Sequence, residues 1–486
     1  MHETTEDFLV VGDESLSRSE LAEQLTQTRK FLVAIWARFG GTTFIPMIVD
    51  NSMSSHLALL AAGELSVDVA VIDSTVKPDS LATILENFNC DVIVAANPQI
   101  HYADLPQNST LLPLDLESVK ANDPDLLETP RDGSVIVFSS GSTSDPKGVV
   151  IPWRELLRWT RMRHGAAENS TTDGRKTLNL SPISWALGLL NLVSVLVGFR
   201  VVTLDLRKFN PHQLLLEIQK VEPQYVSIPA NLARVVSQAA SEWQFGPVES
   251  IQEVLIGSGK VRWEIVNLFS KFVPQDAIYS HNLSATEAWR MFELRVPFSQ
   301  LPPSGQVDLG LPRVPANLRL EPTQDDGVFE IYASGDIAAG YVNEQKSREF
   351  FTRDDEGRLW WKSGELVRLD PSTGKYFHGG RTDNVIKVND HNVNLDEIER
   401  LIQTFSNVKM TAVLPVEIMG RIRIVAFVSW AESATAGAGA IINHLSDSLP
   451  AYAMPHQVVS VDEFPLTRSG KVDRGALLKI AAERFS

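Results

Sequence analysis

Phe138-Ser-Ser-Gly-Ser-Thr-Ser-Asp-Pro-Lys-Gly-Val-Val150 is the stretch that decides how this chain is read. The apolar run at 135–138 has the length and side chains of a buried strand. Ser139, Ser140, Ser142, Thr143 and Ser144 then surround Gly141, and Pro146, Lys147 and Gly148 follow. A glycine-containing, hydroxyl-rich loop after a strand offers backbone N–H groups and side-chain donors to an anion such as a polyphosphate, with an ammonium group close by. It is not a Walker loop, which ends in Gly-Lys-Ser/Thr; here Lys147 precedes its glycine. An ordinary polar turn is the alternative for the same residues.

Length and composition narrow the setting. The 486 residues exceed one ordinary core and point to two or three packed units. A hydrophobic content of 44% with 21% charged residues belongs to a globular chain, not a disordered one. The formal charge of −16 repels nucleic acid and anionic membranes, so neither is expected as a partner. The single cysteine, Cys90, excludes an intramolecular disulfide and a Cys-rich metal site, and it reads as the start of a strand. The first eight residues are acidic with no apolar leader, and no apolar run approaches the ~20 residues of a membrane span. The expectation is a cytoplasmic protein.

Outward from the loop, strands alternate with helices. Strands are expected at 44–49, 67–72, 90–95, 177–180, 200–204, 225–228, 254–256 and 277–280. Helices are expected from Ser17 (capped, with Glu20 three residues on) to about 35, and at 54–63, 80–88, 152–163, 187–197, 210–221 and 263–272. This alternation implies parallel sheets in an α/β domain. Beyond Phe292 the texture changes to short strands and turns, a β-rich subdomain. After Gly379-Gly-Arg381 comes a smaller unit. It has a strand at 385–388, a helix capped by Asn394 with Glu397 in the capping-box position, strands at 421–430 and 458–461, and a last helix. The expected architecture is α/β: a large multi-layer N-terminal region over residues 1–382, then a small α+β C-terminal domain over 383–486.

The loop resembles the phosphate-binding signature of the adenylate-forming superfamily, Ser/Thr-Gly-Thr-Thr-Gly-x-Pro-Lys-Gly. That group comprises acyl-CoA synthetases, peptide-synthetase adenylation domains and luciferases. Ser142 stands for its first Thr and Ser144 for the following Gly. Six further stretches fall in the family's order. They are residues 69–73 after Ala62-Gly63, Ser181-Pro-Ile-Ser-Trp-Ala-Leu-Gly188, Leu283-Ser-Ala-Thr-Glu287, Ser363-Gly-Glu365, Gly380-Arg-Thr-Asp-Asn-Val-Ile-Lys387 with Glu397-Ile-Glu399, and Pro465-Leu-Thr-Arg-Ser-Gly-Lys-Val-Asp-Arg474. The last two match at nearly every position, and the resemblance covers the whole chain. It is nearest to a stand-alone acyl-CoA synthetase or acyl-adenylating ligase.

The resemblance implies attack of a carboxylate on the α-phosphorus of ATP, release of pyrophosphate, and thioester formation from the acyl-AMP with CoA. Such chemistry needs positioning and charge neutralisation more than acid–base work. Glu287 would hold Mg²⁺, a hard ion that takes oxygen ligands. Thr286, the residues from Ser139 to Ser144, and Lys147 would meet the phosphates. Gly257, Ser258 and Gly259 would let the backbone approach adenine or the acyl group. His281, Asn282 and Leu283 belong to the adenine side. Glu365 would accept both ribose hydroxyls. Arg381 would contact ribose or phosphate, or pair structurally with Asp383. Lys471 would bridge the carboxylate and α-phosphate oxygens. Asp383 is the implied hinge, and Val388, Asn389 and Asp390 the implied thiol tunnel. Ser184, Trp185, Gly188, Gly257 and Ser284 would line the acyl pocket, with Trp185 equally readable as a core aromatic.

Three departures bear on specificity. Residues 183–186 hold no carboxylate to partner an ammonium group, and burying one unpaired is costly, so an acid without an α-amino group is expected. Trp185 replaces the family histidine and Leu283 the adenine-side tyrosine. Asp390 stands where the family has Gly near the thiol, which leaves open CoA or the phosphopantetheine of a separate carrier protein. The Gly-to-Ser, Asp-to-Glu and Gly-to-Asp changes also admit a non-catalytic nucleotide-binding relative.

Overall fold

Ile45–Val49, Val69–Asp73, Val92–Ala95 and Ser134–Ser139 are rich in β-branched side chains because both faces of these strands are covered. The computed structural model describes residues 7–38, 44–88, 92–99, 105, 109–114, 132–139, 147–163, 174–206, 209–257, 261–388, 391–405, 407–418, 421–430, 437–446, 448–467 and 472–485. In it these four strands and Thr110–Pro113 form the parallel part of a seven-stranded sheet. Lys147–Pro152 and Gly340–Tyr341 extend it antiparallel. A second sheet runs Phe292–Pro297, Ile278–Leu283, Glu253–Gly257, Tyr225–Pro229, Lys176–Asn179, Arg200–Thr203, Asp7–Val11, Glu14–Ser17. It is parallel except at the two ends of that series. Cys90 lies outside the described residues.

The expected alternation is present, with informative differences. Residues 147–152 do not run from the loop straight into a helix. They return as a strand, with Phe138 opposite Gly148 and Ser139 opposite Lys147, and the helix begins at Trp153. Val149, Val150 and Ile151 favour that strand, and Pro152 sits at its end, where a missing N–H is tolerated. The helix expected through Val197 is α only over Ala186–Leu192. It tightens to a 3₁₀ turn over Val193–Val197 and is stopped by Gly198 at φ 94°. Asn210 caps Pro211–Val221 through a capping box with Gln213.

The chain separates into two compact units: residues 1–306, 312–317 and 333–361, and residues 307–311, 318–332 and 362–486. Both sheets above belong to the first, apart from its edges. In the second, Leu359–Leu369 continues into a pairing with Tyr376–Arg381, and Val385–Val388 pairs with His391–Asn394. A three-stranded sheet follows, Val408–Ile418, Arg421–Trp430, Gln457–Ser460. One face packs Val413, Ile424 and Val428 against Ile398, Ile402 and Leu445 of two helices. The other packs Leu414, Val425 and Phe427 against Leu477 and Ala481 of Arg474–Phe485. Val408–Ile418 escaped sequence reading because Pro415 interrupts it, which an edge strand tolerates. No helix among the described residues is long and apolar enough to cross a membrane.

Candidate active site

Within the first unit, the polar loop is the connection of a β-hairpin. Residues 140–146 and the Ser139 side chain lie outside the described residues, as do Ser258, Gly259, Asn389, Asp390 and Lys471. What frames the loop is described. Lys147 is the first residue of the returning strand, its Nζ 5.5 Å from the centre of the Phe350 ring. Gly340–Tyr341 pairs with that strand, Tyr341 opposite Val149, and Val342 N–H donates to the Gly148 carbonyl at 2.9 Å. The Tyr341 hydroxyl then donates to Glu287 Oε1 at 2.7 Å, and Trp361 Nε1 donates to the same hydroxyl at 3.3 Å. Ala338 N–H donates to the Glu287 carbonyl at 2.7 Å. Glu287 and the phosphate-type hairpin, far apart in sequence, are thus fastened to one two-residue strand. Sequence reading missed Tyr341. Its only signal was the Gly340-Tyr341 pair, where Gly340 sits at φ 154° with Ser347 Oγ 2.3 Å from where a Cβ would stand.

Thr286 is half-buried beside Glu287. His281 is buried, and its Nδ1 donates to the Ile256 carbonyl at 3.3 Å, tying it to the strand that ends at Gly257. Among the described residues nothing lies within 4 Å of where a Gly257 Cβ would be. The Asn282 amide, in the orientation that satisfies both of its ends, donates to the His281 carbonyl and accepts from Arg290 Nε at 3.2 Å. Leu283 pairs with Phe292 in the antiparallel ladder. Ser284 is exposed, with its Oγ accepting from Arg290 N–H at 3.2 Å.

The segment 181–188 is pinned at several points. Ser181 N–H donates to Asn179 Oδ1 at 3.1 Å and Ile183 N–H to Asn51 Oδ1 at 3.2 Å. Ser184 Oγ donates to Asp73 Oδ2 at 2.7 Å, so a carboxylate from another strand does reach this segment. Trp185 is the half-buried residue before Ala186–Leu192. A Cβ on Gly188 would lie 1.9 Å from the Pro182 carbonyl oxygen, so only glycine allows that turn to close.

The second unit holds the other charged group. Glu365 and Arg381 are opposite residues of an antiparallel ladder. Glu365 is largely buried; His378 Nε2 donates to its Oε2 at 2.8 Å and Arg381 Nη1 donates to its Oε1. Burial opposes ionisation, but the hydrogen bond and charge of His378, with Arg381, outweigh it and hold the Glu365 carboxyl below the usual range. Burial also works against the Arg381 charge, yet Glu365 and Asp383 raise its pKa. Arg381 Nε donates to Asp383 Oδ1 at 3.0 Å, so that ion pair is present together with the one to Glu365. Asp396 Oδ2 accepts from Arg381 N–H at 3.1 Å and Asn384 Nδ2 at 2.8 Å, clamping the turn that contains Asp383.

Asn394 caps its helix through Asp396 N–H, and Glu397 pairs with Arg400, so the expected capping box is replaced by a salt bridge. Val388 packs in the core with Val393 and Ile398. Among the described residues no group of three or more His, Cys, Asp or Glu side chains could hold a metal by itself.

Residues 2–325 match the model of the AMP-binding enzyme family, and residues 397–471 that of the AMP-binding enzyme C-terminal domain. The chain belongs to the AMP-binding enzyme family. It is 26% identical over 487 residues to a mycosubtilin synthase polypeptide of Bacillus subtilis, covering 96% of this chain but only 18% of that one. With surfactin synthase subunit 2 of the same species it is 25% identical and spans 13% of its length. With the D-alanine–D-alanyl carrier protein ligase of Staphylococcus aureus it is 25% identical over 451 residues, 90% of this chain and 89% of that protein. Among solved structures, Klebsiella oxytoca NpsA in complex with 3-hydroxyanthranilyl-AMSN superposes with a TM-score of 0.77 at 17% identity, covering 98% of this chain and 96% of that one. ATP-bound MatB from Rhodopseudomonas palustris gives 0.74 at 17% identity, covering 100% and 98%. These two likenesses establish the shared fold.

Proposed function

We propose that this enzyme activates a carboxylic acid lacking an α-amino group. The acid's oxygen attacks the α-phosphorus of MgATP, the bond to the β-phosphate oxygen breaks, and pyrophosphate leaves acyl-AMP. A thiol then attacks the acyl carbonyl, its proton passes to solvent, and AMP departs. The thiol is CoA in the first reading. Residues 1–382 bind ATP and the acid, and residues 383–486 form a mobile domain that brings Lys471. What carries the proposal is the Tyr341 link between Glu287 and the hairpin of the polar loop. One carboxylate, oriented by a hydroxyl, beside a loop of phosphate-binding composition suits Mg²⁺, which takes one or two carboxylates and completes its shell with substrate phosphates and water. Held there by Glu287, Mg²⁺ would supply charge neutralisation on the phosphates. Ser139, Ser140, Gly141, Ser142, Thr143 and Lys147 cradle those phosphates, and Glu365 receives the ribose hydroxyls. Acid-dependent exchange of labelled pyrophosphate into ATP tests this. The proposal fails if no acid in a screen of aryl, short-chain and medium-chain acids supports exchange, or if Glu287→Ala leaves the exchange intact. The first result favours a non-catalytic nucleotide-binding relative; the second keeps an adenylating enzyme and takes Glu287 out of its metal site.

A second reading is loading of a separate carrier protein. It is favoured by the match to the D-alanyl carrier protein ligase over 89% of that protein's length. Single-turnover transfer from the acyl-AMP to CoA and to a pantetheinylated carrier separates the two.

A further inference from the structure

Arg163, the last residue of Trp153–Arg163, is 1% exposed. Its Nη1 donates to Asn191 Oδ1 and its guanidinium lies 4.4 Å from the centre of the Tyr225 ring, but Nε and Nη2 meet no acceptor among the described residues. Around it, Arg290 is 3% exposed and gives Nη1 to Glu293 Oε1 at 2.8 Å. Arg313 shares the same carboxylate at 3.9 Å, and Arg295 closes a two-pronged pair with Glu253 at 2.8 and 2.9 Å. Arg163, Arg290, Arg295 and Arg313 therefore lie near Glu293, Glu253 and Asp336, and among the described residues none of these carboxylates forms an ion pair with Arg163, although Glu253 attracts it. A buried charge with no ion-pair partner among the described residues is costly to hold in place. Burial depresses the Arg163 pKa and the Arg290 charge adds to it, while the charge and hydrogen bond of the Tyr225 hydroxyl and the Glu253 carboxylate oppose it.

The position of this excess charge points to its partner. Asn191 stands on Ala186–Leu192, the helix that Trp185 opens, and its Nδ2 donates to Asn179 Oδ1, the oxygen that also receives Ser181 N–H. Arg290 donates its N–H to Ser284 Oγ and its Nη2 to the Arg163 carbonyl at 3.4 Å. The two arginines thus touch the helix that Trp185 opens, through Asn191, and Ser284, the two segments assigned to the acyl pocket. Arg290 does so at φ 47°, a left-handed conformation uncommon for non-glycine residues and shared here by the helix caps Ser66 and Glu222.

We propose that the acid this enzyme activates carries a second anionic group, a carboxylate or its equivalent, remote from the one that is adenylated, and that Arg163 binds it. This rests on the acyl-activating function above and narrows it. The planar guanidinium offers Nε and Nη2 as a ready fork for two carboxylate oxygens.

The test compares matched acids: butanoate against succinate and glutarate, and benzoate against the three benzenedicarboxylates. Pyrophosphate exchange is measured together with the thermal shift each acid gives without ATP. At least one dicarboxylate should exceed its monocarboxylate partner by about 100-fold or more in kcat/KM, and Arg163→Met should collapse that ratio to within about 10-fold. The same dicarboxylate should raise the melting temperature of the parent and not of the variant. Equal or better use of the monocarboxylates overturns the proposal while acyl activation stands. A dicarboxylate that stabilises the parent through Arg163, with no acid supporting exchange, keeps the anion site and sinks acyl activation. Neither binding nor exchange sinks both. If Arg163→Met does not fold, the parent's own ratio decides, and Arg163→Lys, which keeps the charge without the fork, should lower it.

Discussion

Arg474 donates Nη2 to Oε1 of Glu399 at 2.7 Å, although the two lie 75 residues apart. The same oxygen accepts from Val413 N–H at 2.9 Å, and Arg474 Nη1 donates to the Val413 carbonyl at 3.2 Å. Both backbone polar groups of Val413 in Val408–Ile418 are therefore held by an ion pair joining Leu395–Gln403 to Arg474–Phe485. Glu399 is 6% exposed at its side chain and Arg474 30%, so solvent screens only one partner. Arg474→Leu should destabilise the second unit by about 2–3 kcal/mol, the cost of leaving a buried carboxylate short of its partner. Urea unfolding of the full chain, with Arg474→Leu, Glu399→Leu and the double variant, measures it. Strict additivity of the two single effects would remove the coupling.

Glu365 gives the second prediction. Its folded pKa lies below the ordinary 4.5. The stability it adds is fully present above 4.5 and is lost as pH falls through the lower folded value. His378→Phe deletes the strongest of the interactions that lower it, so acid loss of structure should begin at higher pH in the variant. Identical acid midpoints would contradict this. Each carboxylate oxygen has a second lone pair left for a ribose hydroxyl. Glu365→Ala should therefore also weaken ATP binding by two charge-assisted hydrogen bonds of about 1.5–3 kcal/mol each. Equal use of ATP and its 2′,3′-dideoxy analogue would remove Glu365 from the ribose.

The α/β alternation was legible because it is written in local periodicity. Runs such as residues 45–49 and 69–73 can only be strands covered on both faces. The loop at 139–148 was legible as composition, but its hairpin form was not, because pairing of Ser139 with Lys147 is a tertiary choice. His378 carries no local signal, Tyr341 only that of the glycine before it, and Arg474, though part of the C-terminal motif, no sign of its pairing with Glu399. A tyrosine in a two-residue strand becomes a partner of Glu287 only once distant segments pair. Arg163 is hidden for the opposite reason, since an arginine ending an amphipathic helix reads as solvated until its burial is known.

Tyr341 orients Glu287 through one hydrogen bond, with Trp361 behind it. Tyr341→Phe keeps the ring packing and removes the hydroxyl. If Glu287 holds Mg²⁺, the variant should need about 10–100-fold more Mg²⁺ for half-maximal exchange, the usual cost of losing a metal ligand's supporting bond. A Mg²⁺ dependence unchanged from the parent would place the metal elsewhere.

Trp185 is half-buried and makes no capping bond with its side chain, so its bulk is its contribution. Trp185→Ala should widen the acyl pocket and raise kcat/KM for acids two to four carbons longer by about 10-fold relative to the shortest substrate, the scale of one or two methylenes in an apolar pocket. α-Amino acids should stay poor substrates in both proteins, even though Asp73 touches Ser184. Best activity on an α-amino acid would assign Asp73 to its ammonium group. An unchanged chain-length profile would return Trp185 to the core.

The last prediction concerns Lys471 and the turn at Asp383. One site must bind a polyphosphate and then admit a thiol after pyrophosphate has gone. On the function proposed above, a mobile small domain would solve this by presenting Lys471 in the first step and the turn from Gly380 to Asp390 in the second. Asp383 stands in the short turn Thr382–Asn384, with its side chain 54% exposed and held only by Arg381 among the contacts described. Asp396 holds the two ends of this turn through Arg381 N–H and Asn384 Nδ2, so rotation about Asp383 would have to break those bonds, and proline there would fix φ near −65°. Lys471 carries a compact charge to oxygens that grow more negative during adenylation. Lys471→Ala should cut adenylation by about 10²-fold or more, yet form thioester from supplied acyl-AMP at nearly the parental rate. Asp383→Pro should do the reverse, with adenylation kept and thioester formation lost. Single-turnover kinetics of each half-reaction with both variants checks it. Equal slowing of both halves by Lys471→Ala, or intact adenylation, removes Lys471 from the first step, and unaffected thioester formation in Asp383→Pro moves the hinge elsewhere.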